Sequence, residues 1–193
     1  MAFTNYETKE INCKVIYFGP TGSGKTENLR AIYKDSAAEV RSGLLELEKV
    51  ASTTPFFDFL PLSLGHVRDY HLKLHLFTLP ANPVYHSVTG TILKGIDGFV
   101  YVADSRIEAM AENIEGLDNV RKLLTESGYN VSELPRVLQY NKRDLEDTVP
   151  VDIMQQELNP AGLPDHQAIA SQTKGTLETV QSMAKLVIKR LSN

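Results

Sequence analysis

The chain has 193 residues, of which 42% are hydrophobic and 23% charged, and its formal net charge is -4. This length suits one α/β domain over residues 1–193, and the composition excludes disordered and fibrous classes. The acidic balance argues against a nucleic-acid partner, because nucleic-acid binders usually present a basic face. Cys13 is the single cysteine, so no internal disulfide forms and a cytoplasmic location is expected. No apolar run approaches the roughly 18 residues that span a bilayer, so direct membrane insertion is not expected.

Short apolar runs alternate with helical patterns along the chain, which is typical of a parallel sheet covered on both faces. We therefore predict a doubly wound α/β fold. Strands are predicted over residues 11–18, 56–62, 70–79, 98–103, 136–140 and 166–170. Helices are predicted over residues 25–34, 107–127, 150–158 and 177–191.

The second and third strands are separated by a short stretch containing Gly65, which predicts a hairpin. Residues 70–79 alternate cleanly, with leucines at 72, 74 and 76 on one face and polar residues at 71, 73 and 75 on the other. A polar face favours a position toward a sheet edge. No carboxylate or cysteine accompanies His71 and His75 as a further metal ligand. A solvated face of the strand is therefore a better interpretation of the two histidines than a metal site.

Residues 19–26 read Gly-Pro-Thr-Gly-Ser-Gly-Lys-Thr and match the phosphate-binding pattern G-x-x-x-x-G-K-[ST] between a predicted strand and a predicted helix. Glycines let the backbone wrap a phosphate, and the helix N-terminus faces the same anion. The predicted phosphate-binding residues are Gly19, Thr21, Gly22, Ser23, Gly24, Lys25 and Thr26. Lys25 is expected to pair with the β- and γ-phosphates, and the Thr26 hydroxyl to ligate Mg²⁺.

A second motif, Asn-Lys-Arg-Asp at 141–144, follows a predicted strand, where open α/β sheets bind ligands. The Asp144 carboxylate can accept hydrogen bonds from the guanine ring N–H and its exocyclic amine, which adenine cannot supply. Lys142 can lie across the base, and Asn141 can tie this loop to the phosphate loop. Backbone N–H groups near Ala170 and Ser171 can bind the guanine O6 atom.

Five further segments are distinctive: Phe-Phe-Asp-Phe-Leu-Pro at 56–61, Leu-Phe-Thr-Leu-Pro at 76–80, Gly-Ile-Asp-Gly at 95–98, Val-Ala-Asp-Ser at 102–105 and Asn-Lys-Arg-Asp-Leu at 141–145. With these segments the chain resembles the small Ras-like GTPases and, within them, the bacterial MglA family of gliding-motility and cell-polarity GTPases. The resemblance implies a six-stranded, mostly parallel sheet with one antiparallel edge strand and helices on both faces. It also implies GTP, GDP and Mg²⁺ as ligands, and switches around 45–62 and 78–90.

The same resemblance assigns roles in the two switches. Thr54 would be the threonine that senses the γ-phosphate and ligates Mg²⁺, with its neighbour Thr53 as a competing candidate. Thr78 stands where most GTPases have an aspartate, and this is a trait of the family. The implied partners are a GTPase-activating protein of the MglB (roadblock) type and polarity or motility effectors. This protein is expected to be a monomer that its partners recruit to a cell pole or motility complex.

Three departures from the family pattern affect catalysis. The family reads Pro-Gly-Gln where this chain has Pro-Ala-Asn at 80–82, and it has an arginine at the position of Thr53. Ala81 has less backbone freedom than glycine near the γ-phosphate, and Asn82 is shorter than the glutamine that orients water. Thr21 replaces a phosphate-loop glycine. The candidate catalytic residues are Lys25, Thr53 and Asn82. Because of these departures, slow GTP hydrolysis is expected.

We therefore expect a guanine-nucleotide switch. One alternative is a pseudo-GTPase scaffold that binds GTP without turnover. The other is an ATP-using P-loop kinase or ATPase, which the 141–144 motif disfavours.

Overall fold

A computed structural model describes residues 3–37, 41, 43, 45–46, 58–79 and 86–191. The strands are β1 (Phe3–Asn5), β2 (Glu10–Phe18), β3 (Leu45–Glu46), β4 (Asp58–Val67), β5 (Tyr70–Thr78), β6 (Ile96–Asp104), β7 (Arg136–Asn141) and β8 (Asp165–Gln167). The helices are α1 (Lys25–Asp35), α2 (His86–Leu93), α3 (Met110–Glu126), α4 (Val151–Leu158) and α5 (Thr176–Leu191). Short 3₁₀ turns cover Ile107–Ala109 and Ala170–Gln172.

The described strands form one eight-stranded sheet in the order β3-β4-β5-β2-β6-β7-β8, with β1 paired to β2. Strand β2 is parallel to β5 and β6, and β6, β7 and β8 continue in parallel. Of the six strands that the resemblance implies, only β4 runs antiparallel to its neighbour, β5. The short strands β1 and β3 are the additional two, and both pair antiparallel. The mostly parallel α/β fold is therefore confirmed.

Strand β5 lies inside the sheet, so its predicted position toward an edge is wrong. It pairs with β2 along one side and with β4 along the other. The alternation itself is correct, because Leu72, Leu74 and Leu76 are fully buried. The predicted hairpin is present, but Gly65 lies within β4 beside a register shift and the turn comes after Val67.

Helices cover both faces of the sheet, which confirms the doubly wound layout. On one face, Cys13, Val15 and Tyr17 of β2 pack in one cluster with residues of α1 and α5. On the other face, Ile16 and Phe18 pack in a cluster with residues of α2, α3 and α4. Residues 15–18 of β2 are apolar and buried on both sides of the sheet because the strand is central. Burial raises the pKa of the Cys13 thiol to about 12.

Most predicted helices and strands lie within a few residues of the observed ones. Helix α2 was not predicted, and the predicted strand 166–170 is divided between β8 and a 3₁₀ turn. Residues 56–57 of the predicted second strand lie outside the described residues. Within the described ranges, no helix is both long and apolar enough to cross a bilayer.

Candidate functional site

The phosphate loop joins the carboxyl end of β2 to the amino end of α1, as predicted. Gly19 has a φ of 143°, and a Cβ atom there would lie 2.2 Å from the Val102 carbonyl oxygen of β6. Gly24 has a φ of 98° and precedes α1 directly. A Cβ at Gly22 would meet no described atom within 4 Å, so space is open beside this glycine. The loop is therefore packed against the sheet by Gly19 while Gly22 faces an open region.

The Lys25 ammonium folds back over the loop. Its Nζ donates to the carbonyl oxygens of Gly19 at 2.9 Å and Pro20 at 2.8 Å. Burial lowers the pKa of Lys25 to about 8, and the negative charge of Asp58 opposes this shift. The lysine thus stands beside the loop that the sequence assigns to phosphate.

The Thr26 hydroxyl meets a carboxylate that sequence reasoning did not assign to the site. Thr26 Oγ1 donates to Asp58 Oδ2 at 2.6 Å, and Thr78 Oγ1 donates to the same oxygen at 2.8 Å. The Asp58 backbone N–H donates to Thr78 Oγ1 at 2.9 Å. The available signal was the hairpin register, because pairing of Phe59 with Phe77 sets Asp58 across from Thr78.

Asn141 links the two predicted nucleotide-binding motifs, as the sequence suggests. Its Nδ2 donates to the Ser23 carbonyl at 2.8 Å, and its Oδ1 accepts from the Ala170 N–H at 3.0 Å. Asn141 is 2% exposed. A Cβ at Gly24 would lie 2.3 Å from Asn141 Nδ2, so the glycine is required for this close approach. Three loops are therefore held together by one amide.

Lys142 is held by an acidic residue at the end of the neighbouring strand. Its Nζ lies 2.6 Å from Asp104 Oδ2, which also accepts from Arg106 Nη2 at 2.8 Å. Burial raises the pKa of Asp104, but hydrogen bonds from Arg106 and Lys142 outweigh it and leave the pKa below its ordinary value. Sequence reasoning assigned no role in the site to Asp104 or Arg106. Asp104 ends the buried strand β6 and Arg106 lies two residues beyond it, beside the strand β7 that Lys142 directly follows.

The remaining predicted base-binding residues differ in exposure. Asp144 and Ser171 are exposed, whereas Ala170 is 3% exposed. In the phosphate loop, Thr21 is exposed, and Ser23 is fully buried with no hydrogen-bond partner for its Oγ among the described residues. Four candidates lie outside the described residues: Thr53, Thr54, Ala81 and Asn82.

The oxygen atoms beside Thr26 fit a magnesium ion. Mg²⁺ prefers hard oxygen ligands, and two threonine hydroxyls and one carboxylate converge here.

Across the described ranges, no group of three or more His, Cys, Asp or Glu side chains is arranged to hold a metal. His75 Nε2 contacts Asn12 Oδ1 at 2.8 Å, and the His71 ring lies 3.8 Å from that of His66.

Comparison with known proteins yields a close relative over almost the entire chain. The sequence is 47% identical over 191 residues to the Mutual gliding-motility protein MglA of Myxococcus xanthus (strain DK1622). The alignment covers 99% of this chain and 98% of that protein. No protein-family model matches the chain.

Proposed function

Since the chain belongs to the MglA family of small GTPases, we propose that it is a guanine-nucleotide switch with weak intrinsic hydrolysis that acts in cell polarity or gliding motility. The observation that carries this proposal is the link made by Asn141, which joins the phosphate loop to the 141–144 motif and to the loop at Ala170. One ligand that contacts all three loops needs a phosphate end and a base end, as a nucleotide has.

At the phosphate end, Lys25 and the backbone of residues 19–26 bind the β- and γ-phosphates. The lysine is already next to the loop, since its ammonium contacts the Gly19 and Pro20 carbonyls. Thr26 and Thr54 ligate Mg²⁺, which neutralises phosphate charge when bound. Burial of the lysine strengthens its attraction to an anion, because charges interact more strongly away from water.

At the base end, Asp144 accepts hydrogen bonds from guanine while Lys142 lies across the ring. The exposure of Asp144 leaves its carboxylate accessible to a ligand. Asp104 orients Lys142 through the 2.6 Å contact. The Ala170 N–H is already used by Asn141, so the N–H of exposed Ser171 is the better donor to guanine O6.

We infer that hydrolysis is slow without help because Ala81, Asn82 and Thr53 replace the family's glycine, glutamine and arginine. An arginine finger contributes on the order of 10³ to 10⁵ in rate, and none stands at position 53. A GTPase-activating partner of the MglB type would compensate. We also propose that the chain is one cytoplasmic domain, monomeric, and recruited to a pole or motility complex through its partners.

Nucleotide competition tests the proposal. GTP and GDP should displace a fluorescent guanine nucleotide from the purified protein, and ATP should not. Lys25→Ala should abolish tight binding. Thr26→Asn should spare GDP more than GTP, since the Mg²⁺ that Thr26 would hold would supply charge neutralisation, and GTP carries more phosphate charge than GDP. Equal competition by ATP would refute guanine specificity, and equal loss of both nucleotides would refute the Thr26 assignment.

Prolonged incubation distinguishes the switch from a scaffold that does not turn over. The GTP-loaded protein should contain GDP after many hours when its nucleotide is extracted and separated. GTP that remains intact, while Lys25→Ala fails to bind it, would show that the protein is a pseudo-GTPase.

A further inference from the structure

We propose that Asp58 supplies the carboxylate of the magnesium site, in place of the aspartate that Thr78 replaces at the start of the second switch. This inference rests on the proposed function. It assigns a new role to a residue of β4, and it explains how a threonine is tolerated at position 78.

The geometry brings the carboxylate to the metal-binding hydroxyl. Thr26 belongs to the phosphate loop and directly follows Lys25, so any group within hydrogen-bond distance of its hydroxyl lies beside the phosphate-bound cation. Asp58 Oδ2 is 2.6 Å from Thr26 Oγ1. The hydrogen bonds from Thr26 and Thr78 both go to Oδ2, and we assign the other carboxylate oxygen, Oδ1, to the cation or its water.

Thr78 orients this carboxylate. Its hydroxyl donates to Asp58 Oδ2 at 2.8 Å and accepts from the Asp58 backbone N–H at 2.9 Å. Thr78 is 4% exposed, so these contacts are shielded from water. Asp58 is therefore fixed by its own backbone and by its cross-strand neighbour.

The identities of residues 58 and 78 are complementary. Like charges placed directly across a strand pair are destabilising. An aspartate at both positions would set two carboxylates opposite each other beside Thr26, whereas a threonine at 78 gives the Asp58 carboxylate a donor. One carboxylate on this strand pair is enough for the cation, and here β4 carries it instead of β5.

The Mg²⁺ dependence of nucleotide release provides the test. The full-length protein is loaded with a fluorescent GDP analogue, and its dissociation is followed after addition of excess GDP at a series of free Mg²⁺ concentrations. Asp58→Asn should raise the Mg²⁺ concentration at half-maximal retention by about tenfold or more, because partners around a metal site typically contribute 10- to 100-fold in metal affinity. Release in excess chelator should be unchanged, since no cation is present for Asp58 to serve.

Two further variants complete the test. Asp69→Asn removes the same charge from the exposed turn between β4 and β5 and should leave the Mg²⁺ midpoint at the wild-type value. The exchange Asp58→Thr with Thr78→Asp returns one carboxylate to the strand pair and should restore a midpoint close to wild type. Should Asp58→Asn fail to fold, the exchange variant tests the proposal in its place.

An unchanged or lowered Mg²⁺ midpoint in Asp58→Asn would overturn the proposal. Asp58 would then only accept the Thr26 hydrogen bond until the cation displaces it. A large rise in the exchange variant would overturn it as well. Failure of the proposed function has a different signature, since the wild-type protein would then retain no guanine nucleotide at any Mg²⁺ concentration.

Discussion

Replacing Asn141 by alanine removes the amide that holds three loops together. The Ser23 carbonyl and the Ala170 N–H both lose their partner, and both residues are almost fully buried. An unsatisfied buried backbone group costs about 1–3 kcal/mol, so the free energy of unfolding should fall by about 2–6 kcal/mol. Entry of water into the space left by the side chain would place the loss in the lower half of this range.

The loss should extend to the nucleotide, since Asn141 positions the phosphate loop and the Ala170 loop. Urea unfolding of the nucleotide-free protein gives the stability change, and release of fluorescent GDP gives the effect on the site. We expect release from Asn141→Ala to be at least about tenfold faster, which corresponds to 1.4 kcal/mol of binding free energy.

Asn159 offers a matched control. It is also buried, and its amide bonds the backbone of Leu163 in the loop after α4. Asn159→Ala should reduce stability by a comparable amount but leave nucleotide release unchanged. If both variants accelerate release equally, general destabilisation explains the effect and the reasoning about Asn141 is refuted.

Three other predictions follow from the site and the sheet. Asp144→Asn should shift preference toward xanthine nucleotides, whose second carbonyl suits an amide donor, and unchanged GTP affinity in competition with XTP would remove Asp144 from the base site. The double variant Ala81→Gly with Asn82→Gln should raise the rate of single-turnover GTP hydrolysis by about tenfold or more, and added Thr53→Arg should raise it again. A Ras-like rate in the native protein, about 3 to 5 × 10⁻⁴ per second, would refute the expectation of slow hydrolysis. Burial lowers the pKa of His75 below its ordinary 6.5, with the charges of Lys73 and Lys14 adding to the shift. The unfolded state therefore binds the proton more readily, so unfolding free energy should fall as the pH drops through 6.5. His75→Gln should reduce that fall in urea titrations, and an identical pH dependence in the variant would contradict it.

The features predicted well from sequence are those set by local pattern. The phosphate loop is encoded by closely spaced glycines, and the leucines of β5 alternate with the period of a strand. Helix α2 was missed because its residues, His-Ser-Val-Thr-Gly-Thr-Ile-Leu, include β-branched residues and a glycine that disfavour helices. It packs through the buried Ile92 and Leu93, so tertiary contacts outweigh local preference.

The features that sequence reasoning missed depend on long-range pairing. Asp58 reads as one polar residue within an aromatic run, and 32 residues separate it from Thr26. The β4–β5 register sets Asp58 across from Thr78, and the pairing of β5 with β2, which leads into α1, brings this strand pair beside Thr26. Likewise, the link between Asp104 and Lys142 requires β6 and β7 to be neighbours. The wrong prediction that β5 lies toward an edge has the same cause. The polar face of β5 does not reveal which strands pair with it.

The burial of Cys13 makes the protein well suited to site-specific labelling. The only native thiol is fully shielded, and its raised pKa keeps it protonated at neutral pH, so thiol reagents should leave it unmodified. A cysteine introduced at exposed Glu146, close to the proposed base site, would then be the single reactive position. A fluorophore attached there could report nucleotide exchange without any change to the native cysteine.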